Sequence, residues 1–127
     1  MRKTTRTNAR QGTRREIHNP ALIDWIKARS QGAELVLSVC TRALLLAKAG
    51  LLDGVEATTH HGATDLLREV APKTIIPAAR RFVDNGRVIC SAGIAAGMDM
   101  SLYVVARLLG GEVADKTAWQ MEYPWQP

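Results

Sequence analysis

The sequence predicts an α/β sandwich with a mostly parallel sheet. Short apolar β-type runs alternate along the chain with segments of helical spacing, the pattern of helices packed on a parallel sheet. One run, 34–39, is apolar without alternation, as a strand buried on both faces is. The 127 residues, 46% hydrophobic and 23% charged, suit one domain of ordinary globular composition.

Residues 1–11 lack periodicity and read as a disordered basic leader, leaving 12–127 as the domain. Asn19-Pro20 supplies a helix start, with Asn19 as N-cap and Pro20 at the first helical position. Leu22, Ile23 and Ile26 form the apolar side of that helix, and Gln31-Gly32 stops it. After the strand at 34–39, a helix is expected from Thr41 to Lys48, ended by Gly50. Ala57-Thr58-Thr59 reads as a short strand, and His61-Gly62 leads into a helix through Leu66 and Leu67 that stops before Pro72. Thr74-Ile75-Ile76 and Arg81-Phe82-Val83 are further strands. Asp84-Asn85-Gly86 is a tight-turn signal, and Arg87 to Cys90 returns as a strand. Met98, Leu102, Val105 and Leu109 fall at helical spacing, Gly110-Gly111 breaks that helix, and Ala114, Ala118 and Met121 mark a last one.

The net charge is +5, unevenly placed. Arg2, Lys3, Arg6, Arg10, Arg14 and Arg15 all precede the first acid, Glu16, and no aromatics interleave with them as stacking platforms for bases would. Past Arg15, eleven basic residues face twelve acidic ones, so the folded part makes no case for nucleic acid. No apolar run reaches membrane-span length, and no apolar core follows the basic start as in a secretory signal. Two cysteines make no disulfide framework, so a reduced, cytoplasmic chain is expected.

The candidate chemistry centres on Cys40. It ends an apolar strand where a helix begins, the layout of a nucleophile elbow. Backbone N–H groups at such a start favour a thiolate, and the amide of Thr41 would point into the same space as an oxyanion donor. A small apolar cysteine within the core is the competing reading. His60 follows the strand at 57–59. Ligands collect at the carboxyl ends of parallel strands, so His60 is expected beside Cys40, where it could activate the thiol. His60 and His61 are adjacent and do not converge as metal ligands at i, i+4 do, and no metal or cofactor is expected. Ser91 to Gly97 is rich in small residues that let backbone approach closely. Cys90, within a strand, is expected in the core.

Several blocks together resemble the ThiJ/PfpI superfamily. They are Gly12-Thr13-Arg14-Arg15-Glu16, Leu37-Ser38-Val39-Cys40-Thr41, Ala49-Gly50-Leu51-Leu52-Asp53-Gly54, Ala57-Thr58-Thr59-His60, Phe82-Val83-Asp84-Asn85-Gly86, Ser91 to Asp99, and Met121-Glu122-Tyr123. The similarity runs from about Gly12 to the end and is nearest the isocyanide hydratase branch and the sensor domains of AraC-type regulators. The resemblance implies a flavodoxin-like three-layer sandwich, usually a homodimer, acting on a small molecule. It implies Cys40 as the nucleophile, Thr41 as the source of an oxyanion amide, and His60 as the histidine near the cysteine.

Departures from the family pattern carry further expectations. The family's opening strands, and the acid that contacts the cysteine, have no counterpart here, so the sheet is expected to be incomplete at its N-terminal side. That leaves the elbow strand at an exposed edge and activity impaired, as a misplaced start or a frameshift would. Asn8-Ala9-Arg10 stands where the family has Pro-Gly-Gly, whose second glycine lends an oxyanion amide. Arg42 replaces a glycine that lets the helix pack closely under the elbow, and is expected to disturb that packing.

Overall fold

Asn19 and Pro20 open the first long helix as expected. The structure is a computed structural model that describes residues 12–127; the basic leader expected over 1–11 lies outside them. Residues 12–16 are helical (α1), and α2 spans Pro20–Gln31, with the Asn19 side chain accepting from the Leu22 N–H at 3.4 Å. The apolar side of α2 is thin: Ile23 is buried, but Trp25 is 56% exposed.

Strand β1 covers Val36–Val39, followed by a 3-10 turn at Cys40–Arg42 and helix α3 over Ala43–Lys48. The expected Thr41–Lys48 helix therefore begins as a tighter turn. Gly50, at φ +79°, ends it with a conformation that glycine adopts at no steric cost. A second 3-10 turn at His61–Ala63 leads into α4, Thr64–Val70.

Two expected strands, 57–59 and 74–76, do not form ladders. They are joined by an isolated parallel bridge, Glu56 to Ile75, through the Ala57 N–H to the Ile75 carbonyl and the Ile75 N–H to the Val55 carbonyl, each 3.0 Å. Pro72 and Pro77 flank the second segment and remove donors that a longer ladder needs.

Strands β2 (Phe82–Asp84) and β3 (Val88–Ser91) form the hairpin that Asp84-Asn85-Gly86 announces. The Asp84 carboxylate accepts from the Gly86 N–H at 2.7 Å, and the Asn85 side chain accepts from the Val88 N–H at 3.0 Å. The sheet order is β1-β3-β2, with β1 parallel and β2 antiparallel to β3. The described sheet is thus small and mixed rather than mostly parallel, because a tight turn can return a chain only antiparallel. As expected, β1 is an edge strand among the described residues.

Alternate residues of β3 serve two cores. Val88 and Cys90 pack with Leu44, Leu46, Leu52 and Leu67 from the α3 and α4 side, while Ile89 packs with Met100 and Val104 of α5, which spans Ile94–Leu109. Leu44, Leu52 and Leu67 are fully buried, each contributing about 1.5–3 kcal/mol of apolar transfer. Helix α6, Gly111–Gln120, packs on α5 after the Gly110 break. The result is helices on both faces of a sheet, an α/β sandwich.

Candidate functional site

Cys40 takes a left-handed backbone, φ +55°, one of three non-glycine residues with positive φ among those described. A left-handed L-residue costs about 1–2 kcal/mol, and such outliers persist only where surrounding structure holds them. The turn swings the chain from extended β1 into the 3-10 turn and leaves Cys40 half-buried rather than enclosed. An elbow of this kind is what the strand-to-helix layout predicts.

Three segments converge on it. From the strand-end segment, the Thr59 hydroxyl donates to the Cys40 carbonyl at 2.9 Å, and Thr59 is 3% exposed. From α1, Thr13 meets the elbow, with the buried Thr41 hydroxyl donating to the Thr13 hydroxyl at 3.3 Å. From α5, Gly97 approaches so closely that an added Cβ would lie 3.1 Å from Val39 Cγ1. The small residues of 91–97 thus let the helix seat against the elbow strand.

His60 follows Thr59 and is half-buried. Its Nδ1 accepts from the Gly62 N–H at 3.0 Å, capping the 3-10 turn, and its ring lies 4.2 Å from that of His61. With Nδ1 an acceptor, the proton of the neutral ring sits on Nε2. Arg42 adopts ordinary right-handed backbone, φ −69°, with its side chain exposed, while Ala43 and Leu44 behind it are fully buried. Helix packing under the elbow is therefore kept despite the arginine. Among the described residues, no hydrogen bond or ion pair joins a carboxylate to Cys40, and no group of His, Cys, Asp and Glu could hold a metal ion.

Cys90 is fully buried and lies in the core as expected. Burial pushes its thiol up, against the opposing pull of the Ser38 hydroxyl and the Thr58 backbone. The Ser38 hydroxyl, which faces that thiol, is itself buried and makes no well-formed hydrogen bond among the described residues.

The sequence matches the DJ-1/PfpI family over residues 10–107, a span that holds the elbow, His60 and the α5 glycine. The chain belongs to the DJ-1/PfpI family. It is 38% identical over 105 residues to an isonitrile hydratase of Pseudomonas putida, covering 83% of this chain and 45% of that protein. It is 33% identical over 101 residues to the HTH-type transcriptional regulator CdhR of Pseudomonas aeruginosa, covering 80% of this chain and 30% of the regulator. A crystal structure of a ThiJ/PfpI family protein from Pseudomonas syringae superposes with TM-score 0.81 at 32% identity, covering 91% of this chain and 47% of the other. The chain thus spans less than half the length of these relatives. These findings bear out the resemblance to the ThiJ/PfpI superfamily, and within this family the described residues comprise helices on a small mixed sheet.

Two polar constellations escaped the sequence reading. Asp84 accepts from the Tyr103 hydroxyl at 2.5 Å and from Arg107 at 2.8 Å. Burial pushes the Asp84 carboxyl up, but Tyr103, the Gly86 N–H and Arg107 outweigh it and hold the carboxyl below its ordinary value. Asp99 accepts from Arg81 and from the Tyr123 hydroxyl at 2.7 Å, which ties the C-terminal segment to α5. Tyr103 and Arg107 stand four apart on one helix face, a spacing that marks a shared partner. Neither constellation touches Cys40.

Proposed function

We propose that this chain carries cysteine-centred hydratase chemistry of the isonitrile hydratase type. The observation that supports it most is the left-handed backbone of Cys40 at the end of β1. In this reading the Cys40 thiolate attacks the terminal carbon of an isocyanide, and that carbon takes up a proton, giving a thioimidate. Water adds to the same carbon, the C–S bond breaks, and an N-substituted formamide leaves with the thiol regenerated. Thr41 lends its amide to the negative charge that develops, and His60 carries the proton. No cofactor enters the sequence of steps.

The finer features of the fold belong to the same proposal. Residues 12–127 form one domain, the flavodoxin-like sandwich has a mostly parallel sheet in its full extent, and the chain works as a cytoplasmic homodimer on a small molecule. An uncharged groove beside the elbow supports the pairing, with Val39, Ile94, Met98 and Met121 along it and Ile94 81% exposed.

The test follows formamide from an alkyl isocyanide with wild-type protein and with Cys40→Ala. Turnover by the wild type alone supports the reading; equal turnover by both ends it. The likeness to CdhR favours a second reading, a ligand-sensing domain related to AraC-type regulators. That reading takes over if the wild type turns nothing over while Cys40→Ala still binds the isocyanide in calorimetry.

A further inference from the structure

We infer that Thr59 is the positioning residue of the elbow. Its hydroxyl latches the Cys40 carbonyl, and so fixes the left-handed backbone of Cys40 against the segment that carries His60. The inference rests on Cys40 being the reactive group.

A left-handed turn at Cys40 takes its carbonyl out of the β1 ladder at the point where the register ends, Val39 opposite Ser91. A carbonyl in a partly buried place needs a donor, and the donor it finds is a side chain 19 residues on, at 2.9 Å. Thr59 can serve because it is almost wholly buried and stiff about χ1, so its hydroxyl is aimed rather than sampled. Its own segment is anchored in turn: Ala57 is fully buried and its N–H bonds to the Ile75 carbonyl. His60 is the next residue, and its Nδ1 is tied to the Gly62 N–H. The hydroxyl is therefore a direct polar link between the segment that carries the histidine and the residue that carries the thiol. Threonine is needed here for its oxygen, since valine fills the same volume without it.

The test measures iodoacetamide alkylation of Cys40 against pH, read by peptide mass, in wild type, Thr59→Val and Thr59→Ser. Loss of one hydrogen bond predicts that Thr59→Val slows alkylation by about three- to tenfold and displaces the midpoint of its pH profile. Thr59→Ser, which keeps the hydroxyl, restores the wild-type profile. A merely structural Thr59 would lower the melting temperature without moving that profile. A folded Thr59→Val with the wild-type rate and midpoint overturns the inference, as does a Thr59→Ser that behaves like the valine variant. Should Thr59→Val not fold, the wild-type hydroxyl decides by NMR. A hydroxyl proton protected from exchange and in contact with Cys40 upholds the latch, and rapid exchange overturns it. A wild type without isocyanide turnover ends the hydratase reading but leaves the comparison of variants intact. A normal Thr59→Val profile on an active enzyme ends the latch alone.

Discussion

Replacing Cys40 by glycine and by alanine separates the strain of its backbone from the chemistry of its thiol. Both variants lack the sulfur, so its packing cancels between them. Alanine keeps the left-handed penalty of about 1–2 kcal/mol, which glycine escapes. Glycine in turn loses about 0.5–1 kcal/mol through the greater freedom of its unfolded chain. At φ +55° the first effect exceeds the second, so Cys40→Gly should be about 0.5–1 kcal/mol more stable than Cys40→Ala. At an ordinary φ the order reverses, so the sign alone decides. In urea unfolding followed by circular dichroism, with a slope of about 1–3 kcal/mol per molar, the glycine variant should have a midpoint about 0.2–1 M higher. A lower midpoint for Cys40→Gly would refute a left-handed Cys40 and remove the geometric basis of the elbow.

At pH 7, Asp84→Asn should lower stability by about 1–3 kcal/mol, because its partners Tyr103 and Arg107 lose a charged acceptor that is only 18% exposed. The Asp84 carboxyl is held below its unfolded value, so its contribution is present above about pH 4 and disappears as pH falls through the folded value. Thermal melts from pH 7 downward should therefore converge for the two proteins in acid. Gly97→Val should cost about 1–3 kcal/mol by overpacking against Val39 Cγ1, and Val39→Ala in the same chain should recover part of it, a coupling that a double-mutant cycle measures. Cys90, buried and with its thiol pushed up, should escape iodoacetamide at pH 8 until denaturant is added, while Cys40 reacts in the folded protein; peptide mass mapping distinguishes the two.

The parts of the fold legible in the sequence are those with local chemistry at their ends. Asn19-Pro20 and Gln31-Gly32 bracket α2 at its observed limits, Asp84-Asn85-Gly86 marks the β2–β3 hairpin, and Gly110 parts α5 from α6. Elements defined by a distant partner were less legible. Residues 57–59 and 74–76 have strand composition, yet the one bridge beside them joins Glu56 to Ile75 among the described residues, because pairing depends on what lies alongside. Strand direction within the described sheet follows a related rule. Alternation of strands and helices pointed to parallel pairing, which holds between β1 and β3, while the turn that makes β2 antiparallel was already visible as a hairpin signal.

The site divides along the same line. Residue type and position select Cys40 and His60 as candidates, since few side chains carry that chemistry. What holds Cys40 in place was hidden, because Thr58 and Thr59 read as β-branched strand formers and the partner of a buried hydroxyl is set by tertiary structure. The glycine question was hidden in the same way. Arg42 stands where the family pattern has glycine, but its backbone is right-handed and its side chain turns outward, so nothing there requires the absence of a Cβ. The close approach at the elbow falls instead on Gly97, which presses α5 against Val39 just before Cys40. The glycine that matters most to this elbow therefore lies on another helix, 57 residues along the chain from the cysteine.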